Sequence, residues 1–249
     1  MSFVKYRTEG RVAVVTLDRP DRLNALGSEL ASDLEQACAS FENDTHAPVL
    51  VVHGSGRAFS VGVDLREATE RGTHTGVITD RVHQSMRSIT KPIVAAVHGH
   101  VLGGGLWAVM LNADLRIAAE SASFGMPEIR LAIPAVPQFF LAQNIPLCAV
   151  MELVLNDEPM TAKRAYDIGL VNKVVPDGEL MDTAMKMAQR IAELSPWATK
   201  FIREARLKAV STSERMLELE AIRQEIRSAL AVSEDHQKAL QAAAARLRR

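Results

Sequence analysis

The chain predicts an α/β fold with a parallel sheet and a helical carboxy-terminal part, and three observations carry that prediction. Strand-like and helical segments alternate from Val12 to Val175, with crossovers that favour parallel pairing. The run Val49-Leu50-Val51-Val52-His53-Gly54 is almost unbroken apolar sequence, the pattern of a strand covered on both faces. From about Gly178 onward the composition is helical.

The elements follow in order. Val12 to Asp18 reads as a strand, broken by Arg19-Pro20-Asp21; Ser28 reads as the N-cap of a helix to about Asn43. After the Val49–Gly54 strand, Glu67 to Gly76 is rich in Gly, Thr and charge and reads as a loop. Helix is expected from Val77 to Ile89, strand at Ile93 to Val97, helix from Gly104 to Ala113, and strand at Leu115 to Ala119. A short helix runs from Thr161 to near Gly169, and Val171 to Val175 is the last extended piece. Pro196 opens a helix at its first turn, and Thr212 or Ser213 caps another. Met216, Leu219, Ile222 and Ile226 recur at spacings of three and four, an apolar stripe that needs either its own core or a second subunit to cover it.

Composition narrows the function. The 249 residues are 47% hydrophobic and 24% charged with a formal net charge of -1, and no block of like charge suggests a nucleic-acid surface. No segment reaches the roughly 18 apolar residues of a membrane span, and the first ten residues lack the apolar core of a signal peptide, so a cytoplasmic protein is expected. Cys38 and Cys148 are the only cysteines; they offer no metal-ligand spacing, suit a reducing compartment, and read as small buried apolar residues.

The chemistry concentrates at two turns. Val94 to Leu102 is an apolar segment that runs into Gly103-Gly104-Gly105 and then a helical pattern. Glycines let a ligand approach the main chain, and the first turn of a helix presents unpaired N–H groups and positive dipole charge. Upstream, Arg57 to Leu65 ends another strand in the small-residue turn Val61-Gly62-Val63-Asp64. Two such turns suit a polarised carbonyl oxygen. Read alone, the glycine cluster is equally a tight strand-to-helix turn with no ligand.

At these residues the chain resembles the enoyl-CoA hydratase/isomerase, or crotonase, family. The likeness runs through Leu17-Asp18-Arg19-Pro20, Leu23-Asn24-Ala25-Leu26, Arg57 to Asp64, the glycine cluster, Phe124-Gly125-Met126-Pro127-Glu128 and Ala162 to Val175. It implies a crotonase-like spiral of ββα units, with residues 1–190 forming the core and acyl-CoA site and 191–249 a helical region for assembly into trimers or paired trimers. It implies an acyl-CoA thioester as substrate, with coenzyme A part of that substrate and no further cofactor or metal. Carried over, the oxyanion hole falls on the main-chain N–H groups of Val63 and Gly104. Substrate contacts fall on Arg22, Arg57, Ala58, Ser60, Val61, Asp64 and Leu65 on one side, and on Gly103, Trp107, Pro127 and Phe139 on the other. Arg22 and Arg57 match basic positions near the coenzyme's phosphates or ribose, or are solvated surface residues.

The same resemblance bears on the reaction. Family members that add water use two glutamates. Glu128 matches one; the other position is Trp107, or Ala108 when counted back from Asp114, because the helix is one residue longer than the usual pattern. A lone carboxylate beside an oxyanion hole favours a double-bond isomerase, in which Glu128 moves a proton between two carbons. Hydration, thioester hydrolysis and catalytically silent acyl-CoA binding are the alternatives. Trp107 fills the space of the hydratase water or is a core aromatic. His98 and His100 are further acid/base candidates or structural histidines, and Asp64 is expected to orient its turn. Ile133 to Phe140 replaces a glycine-rich turn with bulky groups that are expected to cap the acyl pocket.

Overall fold

A computed structural model describes residues 2–71, 75–133, 141–156 and 158–211, with short helical stretches at 237–239, 241–242 and 245. The expected cap at Thr212 or Ser213, the apolar stripe from Met216 to Ile226, and Phe139 lie outside the described residues.

Two sheets organise the core. The larger has six strands in the order β1-β2-β3-β5-β7-β10: β1 (Val4–Glu9), β2 (Val12–Leu17), β3 (Val49–Gly54), β5 (Ile93–Val97), β7 (Leu115–Ala119) and β10 (Lys173–Val175). β1 pairs antiparallel with β2, and the other pairings are parallel. The smaller sheet is β4 (Ala58–Ser60), β6 (His100–Leu102), β8 (Ser123–Gly125) and β9 (Met160–Thr161). β3, β5 and β7 are each followed within a few residues by β4, β6 and β8, so every turn of the chain gives one strand to each sheet. This is the spiral the resemblance implies.

Alternation decides what covers the large sheet. Val12, Val14, Val49, Val51, Val94, Ala96, Ile117 and Ala119 face α6 (Leu180–Ala192), which presents Leu180, Ala184, Ala188 and Ala192 at helical spacing. The intervening residues, Ala13, Val15, Leu50, Val52, Ala95 and Val97, join the main core with α1 (Ser28–Asn43) and α3 (Thr75–Ser88). α1 buries Leu30, Ala31, Leu34, Ala37, Cys38 and Phe41 at spacings of three and four. Further helices are α4 (Leu147–Leu155), α5 (Ala162–Asp167) and α7 (Pro196–Ser211).

Several expectations change. Gly27, not Ser28, is the N-cap of α1; the Ser28 N–H and hydroxyl both donate to Glu67. The loop expected from Glu67 is helical at first, as α2 (Leu65–Arg71), because Asp64 Oδ1 accepts the N–H groups of Arg66 and Glu67 and starts a helix. Cys148 is exposed near the start of α4, whereas Cys38 is buried, and burial pushes its thiol up to about 12. β1 and the three-residue strands of the small sheet are too short or too mixed to declare themselves in the sequence.

The segment after the glycines is not an α-helix. Gly105–Val109 forms a π turn, with Met110 N–H donating to the carbonyls of both Gly105 and Leu106, and Met110–Asn112 a 3₁₀ turn. The extra residue counted between Gly105 and Asp114 is absorbed as this wide turn, a common way for a helix to take an insertion near a site.

Candidate active site

Three consecutive parallel strands of the small sheet bring the site together. β4, β6 and β8 run side by side, with Leu102 opposite Gly125, so their carboxy ends share one edge. β4 leads into Val61–Asp64, β6 into Gly103–Gly104, and β8 into Met126-Pro127-Glu128. Residues far apart in sequence thereby meet, as ligand-binding groups do at the ends of parallel strands.

The Val63 turn is held from behind. Leu26 N–H donates to Gly62 O at 2.7 Å, and Asp64 N–H donates to Leu26 O at 3.0 Å. In such a bridge the residue between the two bonded groups points its own N–H the other way, so Val63 N–H faces away from Leu26. Asn24 fixes the supporting loop: its amide donates to Ser55 O and Ala58 O, and its Oδ1 accepts Arg19 N–H. Buried Ser60 donates to Asn24 O and accepts Gly62 N–H. Asp64 ion-pairs with Arg19 at 2.7 Å and caps α2.

Glycine is required where the turns touch. Gly62 has φ +84°, and a Cβ there would lie 3.0 Å from both Gly104 N and Leu102 O. Gly103 has φ +48°, and a Cβ there would lie 2.6 Å from Glu128 Oε1. Among the described residues neither Val63 N–H nor Gly104 N–H donates to a main-chain oxygen. The main chain uses neither donor where the two turns meet.

Glu128 is the ionisable group at that point. It lies in the 3₁₀ turn Pro127–Leu131, and its Oε2 is sealed from solvent without a hydrogen-bond partner among the described residues. The residue as a whole is half-buried, but the sealed carboxyl oxygen sets the chemistry. Burial raises its pKa to about 7.

Other candidates fall elsewhere or play different parts. Ala58 and Ser60 are buried on β4, Val61 is half-buried in the turn and Leu65 half-buried at the start of α2; Pro127 flanks Glu128. Arg22 leans toward Asp21 at 3.8 Å, and Arg57 is exposed on the approach to β4. His98 Nε2 lies 2.9 Å from Gly56 O, and His100 Nδ1 3.2 Å from Ser123 Oγ, so both rings hold turns. Trp107 is buried, its ring 5.2 Å from that of His83. Burial, with the charge of Arg87 adding to it, lowers the His83 pKa to about 4, and Asn112 Nδ2 lies 2.9 Å from its Nδ1.

The sequence of the enoyl-CoA hydratase/isomerase family matches residues 7–247. The chain belongs to that family. The short-chain-enoyl-CoA hydratase of Clostridium acetobutylicum is 36% identical over 206 residues, covering 79% of this chain and 78% of that protein. An enoyl-CoA hydratase/isomerase structure from Xanthobacter autotrophicus Py2 superposes with a TM-score of 0.88 at 29% identity, covering 97% and 93% of the two chains. A monofunctional enoyl-CoA isomerase from M. smegmatis gives 0.72 at 28% identity, covering 87% and 98%. The chain is therefore a family enzyme of hydratase or isomerase type with the crotonase fold, and an acyl-CoA thioester is the substrate consistent with it. Among the described residues no helix is long and apolar enough to cross a membrane.

Sequence reading missed several groups around the family's site. Thr79 packs its methyl against Gly104, where a Cβ would lie 2.7 Å away, and Leu26 Cδ1 approaches the same point to 3.1 Å. Thr79, His83 and Arg87 stand at spacings of four on α3, a signal present in the sequence but masked by the polar character of that helix.

Proposed function

We propose that this enzyme is a double-bond isomerase of enoyl-CoA thioesters. The thioester oxygen sits between the N–H groups of Val63 and Gly104. Glu128, as the carboxylate, removes the α-proton of a 3-enoyl thioester; the electron pair spreads into a dienolate, and the negative oxygen gains from both donors. The protonated Glu128 then returns the proton to the γ-carbon, leaving the 2-enoyl thioester and restoring the carboxylate. Donors that bind the enolate more strongly than the neutral carbonyl accelerate the step, and one such donor is typically worth about 3 to 4 kcal/mol.

One observation carries this reading: Glu128 is a single buried carboxyl beside Gly103, and the helical segment Gly105–Asn112 contains no acid at all, with Trp107 three residues past Gly104. Hydration, the activity named for the Clostridium relative, needs a second group to hold and activate water. No cofactor is needed for the proton shuttle, and coenzyme A enters with the substrate. Self-association through residues 191–249 and a cytoplasmic location belong to the same reading; light scattering on the purified chain checks the first.

The deciding experiment presents matched 2-enoyl and 3-enoyl thioesters and follows products. Conversion of the 3-enoyl substrate to the conjugated 2-enoyl product is expected. Inertness toward 3-enoyl thioesters with rapid hydration of 2-enoyl ones overturns the proposal.

A further inference from the structure

Beyond Trp107 the structure contains a second polar region that the proton shuttle does not use. A cavity of about 150 Å³ is walled chiefly by His83, Arg87, Trp107, Asn112, Asn144 and Arg206. Two guanidinium groups therefore face a space large enough for several heavy atoms.

Among the described residues around it, guanidinium groups outnumber the carboxylates paired with them. Arg203 is fully buried, and Arg116 is buried with its Nη1 3.3 Å from Asn144 Oδ1. Among the described residues, the only carboxylate ion-paired with any of Arg87, Arg116, Arg203 and Arg206 is Asp114. That carboxylate is already shared: Oδ2 takes Arg203 Nη1 at 2.6 Å and Ile93 N–H at 2.8 Å, and Oδ1 takes Arg206 Nη2 at 3.2 Å. Among the described residues, Arg206 Nε and Arg116 Nε are buried without an acceptor, and Arg87 donates to the carbonyl of Leu207. Burial lowers the pKa of Arg87 and of Arg116, the latter to about 10, and the neighbouring charge of Arg206 lowers both further. Buried donors without acceptors are costly, and the half-buried guanidinium groups of Arg87 and Arg206 offer charged donors to an anion in the cavity.

The cavity also lies in line with the thioester position. Thr79 packs on Gly104; His83 follows one turn later on the same face of α3, and Arg87 one turn after that, about 12 Å along the axis. On the facing segment Gly104, Trp107 and Leu111 make the same progression, and the His83 and Trp107 rings meet at 5.2 Å. Gly104 and the guanidinium groups thus lie at opposite ends of the same two walls, with the paired His83 and Trp107 rings between them.

We propose that this cavity receives the far end of the acyl group and that this end carries a carboxylate, making the substrate the mono-thioester of a short unsaturated dicarboxylic acid. The inference rests on the thioester being held at Val63 and Gly104. Arg87 and Arg206 supply charge-assisted hydrogen bonds to the terminal carboxylate, whereas a methyl terminus leaves both cations against hydrocarbon.

The test compares carboxyl-terminated and methyl-terminated acyl-CoA thioesters of matched length, saturated ones by titration calorimetry and unsaturated ones by turnover. The expected result is about tenfold or greater preference for the carboxyl-terminated compound in both affinity and kcat/KM. Arg87→Met lowers that ratio toward one, and Arg87→Lys retains part of it. Should neither variant fold, the preference of the unaltered protein still decides. Equal affinity, or preference for the methyl terminus, overturns the inference whatever the turnover. Preferential binding of the carboxyl-terminated saturated thioester without isomerisation of any enoyl thioester supports the cavity's assignment and sinks the isomerase reading instead.

Discussion

At the scale of the residue, the site depends on one carboxyl kept out of water. An unfolded glutamate ionises near pH 4.5 and Glu128 in the folded chain near pH 7, so between these values the folded state binds more protons than the unfolded one. Stability therefore falls as pH rises through that window, by about 3 kcal/mol at most. Glu128→Gln removes the cost: urea midpoints of the two proteins are expected to agree near pH 4.5 and the variant to be the more stable at pH 8. Equal stabilities at pH 8 would show that the carboxyl is not desolvated. The proposed proton shuttle has the opposite dependence, since the base must be ionised. The kcat/KM for a 3-enoyl thioester should rise about tenfold per pH unit below 7 and level off above it, and Glu128→Gln should lose about a hundredfold or more. Gly103→Ala tests the packing beside it. Its Cβ would enter a left-handed position 2.6 Å from Glu128 Oε1, so the carboxyl must swing away. Activity should drop by at least tenfold while coenzyme A binding, measured by calorimetry, persists.

At the scale of the element, legibility depended on length and on period. β3, β5 and β7 are largely apolar segments of five or six residues, long enough to be read as strands. β4, β6 and β8 have three residues each, below the length at which alternation can be read, yet they set the site's edge. The donor turns were visible because Gly62 and Gly103 are demanded by positive φ, and Glu128 because of its flanking residues. The π turn at Gly105–Val109 showed only as one residue too many. The arginine cluster was invisible, because Arg87, Arg116 and the pair Arg203 and Arg206 come from three elements, α3, β7 and α7, far apart in sequence. Asp114 is their structural anchor. Replacing it with Asn leaves fully buried Arg203 without its counter-charge, retaining carbonyl bonds to Met86, Ile89 and Asn112. The expected loss is about 3 to 5 kcal/mol in urea denaturation. A loss below about 1 kcal/mol would mean that Arg203 reaches water by rearrangement.

At the scale of the whole molecule, stability and chemistry are drawn from different sheets. The large sheet is clamped by α6 through small residues: Ala184 and Ala188 are fully buried against Val12, Val14, Val51 and Val94, and the alanines let the helix approach the strands closely. The small sheet carries the donor turns and Glu128 at its edge, and its strands continue directly from those of the large one. The division has a measurable consequence. Ala188→Phe forces a large ring between α6 and the sheet and should cost about 1 to 3 kcal/mol through overpacking. Because β4, β6 and β8 are not part of that contact, kcat/KM at a temperature well below the unfolding midpoint should remain within about twofold of the unaltered enzyme. A variant whose catalysis falls in step with its stability would show instead that the two sheets move as one body, and that the oxyanion turns are positioned by α6 through the large sheet.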